Sequence, residues 1–195
     1  MIRLVEVGPR DGLQNEDVLI PTEAKVALVD RLSESGLRDI EAGAFVSPKW
    51  VPQLADSGEV FARIRRVPGV VYSALVPNLQ GLDRALAARV DKIAVFTAAS
   101  ETFNRKNINA SIDESFERLR PVVERARGLK LPLRGYVSTA FWCPYEGRIE
   151  PAQAVDVCRR LAELGVDEIS VGDTIGKAVP ADVAALMDAL LPVLP

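Results

Sequence analysis

Hydrophobic and polar positions alternate in blocks along the chain. Short apolar runs, rich in β-branched and aliphatic residues, begin near Ile2, Asp39, Val70, Asp91, Leu131 and Glu168. Each passes through a polar or Gly/Pro loop into a longer stretch with apolar residues three and four apart. Near-continuous apolar runs, such as residues 2–7, 70–76 and 93–96, predict strands covered on both faces, as in a parallel sheet. The stretches between them predict helices. Over 22–35, Ala24, Ala27, Leu28, Val29 and Leu32 share a face and Gly36 closes the helix. Over 111–127, Ser111 and Glu114 make a capping-box pattern, and Ile112, Phe116, Leu119 and Val123 form the apolar stripe. Over 151–164 the stripe is Ala154, Val157, Cys158, Leu161 and Leu164, ended by Gly165; a last helix covers 180–191.

Six strand–helix units predict an α/β fold. The closed form is the (β/α)8 TIM-type barrel of about 250 residues, of which six units are three quarters. The open form is a doubly wound sheet. Spacing alone fits both. No linker, low-complexity tract or domain boundary is visible.

Composition narrows the chemistry. The 195 residues are 48% hydrophobic and 26% charged, which is globular. Formal net charge is -3, with 24 Lys+Arg interspersed among 27 Asp+Glu, so nucleic acid is not an expected partner. No apolar run approaches the roughly 18 residues of a membrane span, and the N-terminus is charged too early for a signal peptide. Cys143 and Cys158 are the two cysteines, too few for a disulfide framework, and a cytoplasmic setting is expected. The chain has no histidine. It therefore cannot by itself build a Ser-His-Asp triad, a Cys-His dyad, an imidazole base or a His-ligated metal.

In either α/β architecture the chemistry sits at the carboxyl ends of the strands. After the first run, Gly8-Pro9-Arg10-Asp11-Gly12 sets an Arg fork, suited to a carbonyl or carboxylate oxygen, beside an Asp, suited to a hard cation. An exposed turn ion pair is the competing reading. Glu41 lies in an apolar stretch where it needs a partner, and Arg10 on the neighbouring strand is the expected one. Asp173 stands in the Gly-rich turn after the sixth run; there its competing reading is a turn or capping aspartate. Three carboxylates and one Arg at the same end of different strands point to a metal- or oxyanion-handling site. The polar stretch 97–109 reads as a loop that could meet an anionic tail or merely be solvated. Cys143 and Cys158 read as buried packing residues.

The same residues resemble a known family. Val5-Glu6-Val7-Gly8-Pro9-Arg10-Asp11-Gly12-Leu13-Gln14-Asn15-Glu16 is similar to the opening signature of the hydroxymethylglutaryl-CoA lyases. The likeness continues through Phe45-Val46-Ser47-Pro48-Lys49-Trp50-Val51-Pro52-Gln53, Lys106-Asn107-Ile108-Asn109, Cys143-Pro144-Tyr145-Glu146-Gly147 and Gly172-Asp173-Thr174-Ile175-Gly176, in order over the whole chain. The related Claisen-condensing synthases share only a shorter Arg-Asp-Gly-x-Gln core.

The resemblance implies a TIM-type (β/α)8 metallolyase that splits 3-hydroxy-3-methylglutaryl-CoA into acetyl-CoA and acetoacetate with Mg2+ or Mn2+, as in leucine degradation. By that similarity Asp11 is a metal ligand, Arg10 holds the thioester carbonyl, Glu41 orients Arg10, and Asp173 sits in the substrate pocket. Asn107, Ser111, Cys143 and Ser170 line the acyl-CoA path. Family members continue past the matched region with a His-x-His pair, an Asn and a catalytic Cys loop. The expectation is therefore one incomplete barrel domain over residues 1–195, lacking strands 7 and 8. Such a chain would be inactive alone and without a tightly held metal, although its parent would be a homo-oligomer. A lyase for another 3-hydroxyacyl-CoA, a condensing synthase and a non-enzymatic acyl-CoA-binding remnant are the alternatives.

Overall fold

A computed structural model describes residues 2–194. They form two compact units that divide at Ala94/Val95, inside a strand.

The first unit carries β1 (Val5–Glu6), α1 (Thr22–Glu34), β2 (Asp39–Ala44), α2 (Ser57–Arg63), β3 (Val71–Leu75), α3 (Leu79–Ala87) and the start of β4 (Lys92–Ala98). Its strands pair in parallel in the order β1-β2-β3-β4, each joined to the next by a crossover. All six residues of β2 are buried, as a strand covered on both faces must be. Its core is Val29, Ile40, Val60, Tyr72, Leu82 and Ile93, each at most 1% exposed. The first run forms a strand over only two residues instead of 2–7, and Ile2 and Leu4 are exposed. With Ile2 and Leu4 open to water, extension of the first half of that run buries little apolar surface.

The second unit continues β4 and adds α4 (Glu101–Ile108), α5 (Ile112–Gly128), β5 (Leu133–Ser138), the short hairpin strands β6 (Trp142–Cys143) and β7 (Gly147–Arg148), α6 (Pro151–Leu164), β8 (Glu168–Val171) and α7 (Pro180–Leu190). Strands β5 and β8 are parallel, with Arg134 opposite Glu168 and Tyr136 opposite Ser170. The expected caps are present. Ser111 accepts the Glu114 N–H while the Glu114 carboxylate accepts the Ser111 N–H. Gly165 adopts φ 106°, a left-handed turn that ends α6 with no Cβ penalty. One reading is corrected here. The stretch 97–109 is not a loop: Ser100 accepts the Phe103 N–H and caps α4, and Asn109 closes it at φ 49°.

Candidate functional site

In the first unit the site grows out of the turn after β1. Residues Gly8–Gly12 make one π-helical turn, a form that recurs at functional sites. Pro9 needs no N–H partner there, and the Glu6 carboxylate accepts the Gly8 N–H at 2.6 Å. A Cβ on Gly8 would lie 2.8 Å from that same oxygen, so a side chain there would push the Glu6 carboxylate out of its hydrogen bond. Arg10 and Asp11 both donate their backbone N–H to Val7 O. The turn folds the Arg10 side chain inward, where it is 10% exposed.

Arg10 Nε donates to Glu41 Oε1 at 2.5 Å, and Arg10 Nη1 donates to Asp11 Oδ1 at 2.5 Å. The Arg10–Glu41 pairing expected from strand position is thus present. Glu41 lies on β2 just before a register shift against β3, between Glu41 and Gly43. Such a bulge re-aims side chains beside sites. The ion pair matches the buried Glu41 carboxylate with the Arg10 guanidinium, as charges taken out of water need. The Asp11 side chain differs, at 59% exposed.

Sequence spacing gives Gln53 no partner. Its amide holds the stretch that follows the Arg10 turn: Oε1 accepts the Ile20 N–H, and Nε2 donates to Glu16 O and Val18 O. Lys25 Nζ in turn donates to Gln53 O and to Asp56. Only its place in the Pro52-Gln53 motif could have flagged it. A cleft of about 350 Å³ lies elsewhere in this unit, beside Phe45, Lys49, Asn78 and Arg84.

In the second unit, Cys143 is buried on β6 with its Sγ 3.0 Å from Ser100 Oγ, and the Tyr145 N–H points at the sulfur from 3.4 Å. Glu146 Oε1 accepts the Thr102 N–H at 2.6 Å, tying the hairpin to the start of α4. Burial works to raise the Glu146 pKa, but the hydrogen bonds from Thr102 and Ser100 outweigh it, and the carboxyl sits below its ordinary range. Asn107 lies exposed in the last turn of α4. Ser111 is the cap of α5, with its hydroxyl and its N–H both in the capping box. Ser170 lies on β8 opposite Tyr136, a residue not picked out from sequence. Asp173 lies just past the end of β8, where its two oxygens accept the Lys177 and Ala178 N–H groups, so its carboxylate organises the turn. Cys158 is fully buried on α6, and burial pushes its thiol up to about 11.

The donor set for a divalent ion is thin. Asp11 already serves Arg10, and among the described residues no three His, Cys, Asp or Glu side chains gather closely enough to hold an ion. These residues do not by themselves fit the implied Mg2+ or Mn2+, which takes about six oxygen ligands in regular geometry. No described helix is long and apolar enough to cross a membrane.

The family model described as HMGL-like matches residues 1–195. The chain is 50% identical over 194 residues to the cytoplasmic 3-hydroxy-3-methylglutaryl-CoA lyase of Rattus norvegicus, covering 100% of this chain and 57% of that protein. It is 52% identical over 194 residues to the 3-hydroxy-3-isohexenylglutaryl-CoA/hydroxy-methylglutaryl-CoA lyase of Pseudomonas aeruginosa, covering 100% of this chain and 65% of the relative. The chain therefore spans less than two thirds of the length of these curated relatives. The crystal structure of the HMG-CoA lyase from Brucella melitensis superposes with a TM-score of 0.95 at 52% identity, covering 100% of this chain and 70% of that one. The fold is accordingly of TIM-barrel type, carried here by six strand–helix units, and the chain belongs to the HMGL-like family.

Proposed function

We propose that this chain provides the Arg10 centre and part of the acyl-CoA path of a carbon–carbon lyase acting on 3-hydroxy-3-methylglutaryl-CoA. The observation that carries the reading is the Arg10 guanidinium, nearly buried at the mouth of β1 and fixed by Glu41. In the reaction the tertiary hydroxyl loses its proton and its oxygen becomes the ketone of acetoacetate. The bond between C2 and C3 breaks, and its electron pair moves onto the thioester to give an enolate. Protonation at C2 then yields acetyl-CoA. A guanidinium held in place before the reaction stabilises that enolate oxygen without reorganising. Glu41 acts through Arg10 and is a positioning residue. Asn107, Cys143, Ser170 and Asp173 are proposed to contact the acyl-CoA. Ser111 is proposed to act through its cap, which fixes the junction of α4 and α5. The Mg2+ or Mn2+ implied by family resemblance is assigned to the assembled enzyme and not to these residues alone. A cytoplasmic location is proposed from the cytoplasmic relative.

The test uses this chain extended by the corresponding remainder of the Pseudomonas aeruginosa relative. Given 3-hydroxy-3-methylglutaryl-CoA, the folded chimera should release acetoacetate and acetyl-CoA in equal amounts. A folded chimera that makes neither refutes the reading.

A further inference from the structure

Between the Arg10 turn and α1, residues 15–21 form neither helix nor strand. Val18 and Leu19 are 73% and 66% exposed, so apolar burial does not hold this segment. Gln53, itself buried, holds it instead: Nε2 donates to Glu16 O at 3.2 Å and to Val18 O at 2.9 Å, and Oε1 accepts the Ile20 N–H at 2.9 Å. We infer that Gln53 is a positioning residue for the turn that carries Arg10 and Asp11: by fixing the segment that follows, it fixes the turn. The consequence for catalysis rests on the proposed reaction; the positioning does not.

The Gln53 amide is saturated, with both donors and its oxygen engaged. Exchanging its oxygen and nitrogen would set an oxygen against two carbonyls, so one orientation alone fits. The anchor is itself braced. The Gln53 carbonyl accepts from Lys25 Nζ, which also pairs with Asp56 at 2.7 Å, and Asp56 accepts the Thr22 hydroxyl at 2.8 Å. This brace joins Gln53 to the first turn of α1, where the segment ends. The Ser57 hydroxyl donates to Leu54 O at 2.8 Å and accepts the Ala44 N–H at 3.1 Å, which registers the same corner on β2. At the other end of the segment, Asn15 Nδ2 donates to Asp11 O at 2.8 Å, and the Asn15 and Glu16 N–H groups donate to Gly12 O and Leu13 O. A shift of Glu16 is therefore passed to the peptide of Asp11. Ordering an exposed segment costs chain entropy, which hydrogen bonds to a buried anchor offset.

The experiment follows amide hydrogen exchange in the intact chain by NMR. Gln53→Met keeps the side-chain length and removes all three bonds. Gln53→Glu keeps the acceptor for Ile20 but sets an oxygen against Glu16 O and Val18 O. In both variants the Arg10 and Asp11 amides, which donate to Val7 O, should exchange about tenfold faster, the scale of one buried hydrogen bond lost. Amides of β3 and α3, in the same unit, should keep their rates. Acceleration confined to residues 16–20, or spread evenly through the unit, overturns the inference. In a chimera that cleaves 3-hydroxy-3-methylglutaryl-CoA, Gln53→Met should lower kcat about tenfold or more with KM nearly unchanged, because a displaced catalytic turn costs rate more than affinity. An unchanged kcat overturns it as well. If the parent chimera has no activity, the proposed reaction fails while exchange in the intact chain still decides the role of Gln53.

Discussion

Arg10 and Glu41, thirty-one residues apart, share a 2.5 Å charge-assisted hydrogen bond with both side chains almost wholly out of water. The pair joins the turn after β1 to the middle of β2 and holds the Arg10 guanidinium in a fixed plane. In the extended enzyme, Arg10→Gln should lower kcat by roughly a hundredfold or more while KM moves little, because the lost bond matters mainly in the transition state. Steady-state kinetics decide it; turnover within a few-fold of the parent would remove Arg10 from the chemistry.

Metal binding offers a second check. Asp11 is one carboxylate, already on Arg10, with no cluster of further ligands among the described residues. Calorimetry of this chain with Mn2+ should show no saturable micromolar binding that depends on Asp11. A micromolar isotherm abolished by Asp11→Ala would show that the residues fit the ion after all.

Cys158 makes alkaline stability readable. Its thiol has an ordinary value of 9.0 and is pushed up to about 11 by burial. The unfolded chain therefore loses this proton first, and the folded state loses its advantage as pH rises from about 9 to 11. Below 9 that contribution is fully present. Urea unfolding at successive pH values should fall less steeply over this window for Cys158→Ala than for the parent. Parallel curves would mean that the thiol is not held in its neutral form.

Ser111 separates capping from substrate contact. Its hydroxyl accepts the Glu114 N–H at 3.0 Å, so Ser111→Ala should destabilise the protein by about 1 kcal/mol. Ser111→Asp keeps a capping acceptor and should restore most of that loss in thermal melts. If Ser111→Asp melts no higher than Ser111→Ala, the hydroxyl does not act as the cap.

Local chemistry made much of this legible in the sequence. The Ser111/Glu114 box and the Gly165 stop depend on neighbours within a few residues, and α5 begins and α6 ends where those signals lie. The buried strand β3 announces itself because a strand covered on both faces is largely apolar. The Arg10–Glu41 pair could be expected because a carboxylate inside an apolar strand needs a cation and parallel strands bring their ends together. Tertiary structure decided the rest. Helix α4 carries Arg105, Lys106 and Asn107 and looks like a solvated loop, yet Glu146, forty-four residues from Thr102, helps hold its first turn. The first run looked like a full strand, but pairing with β2 reaches only Val5 and Glu6. Gln53 clamps the stretch after Arg10 through three backbone groups that spacing could not bring to it. Asp11 was legible as an acid at a strand mouth, with a turn ion pair as one of its readings; the π-helical turn brings its carboxylate to 2.5 Å from Arg10 Nη1. Short-range capping and burial write themselves into sequence period, whereas contacts between distant segments exist only once the chain has closed upon itself.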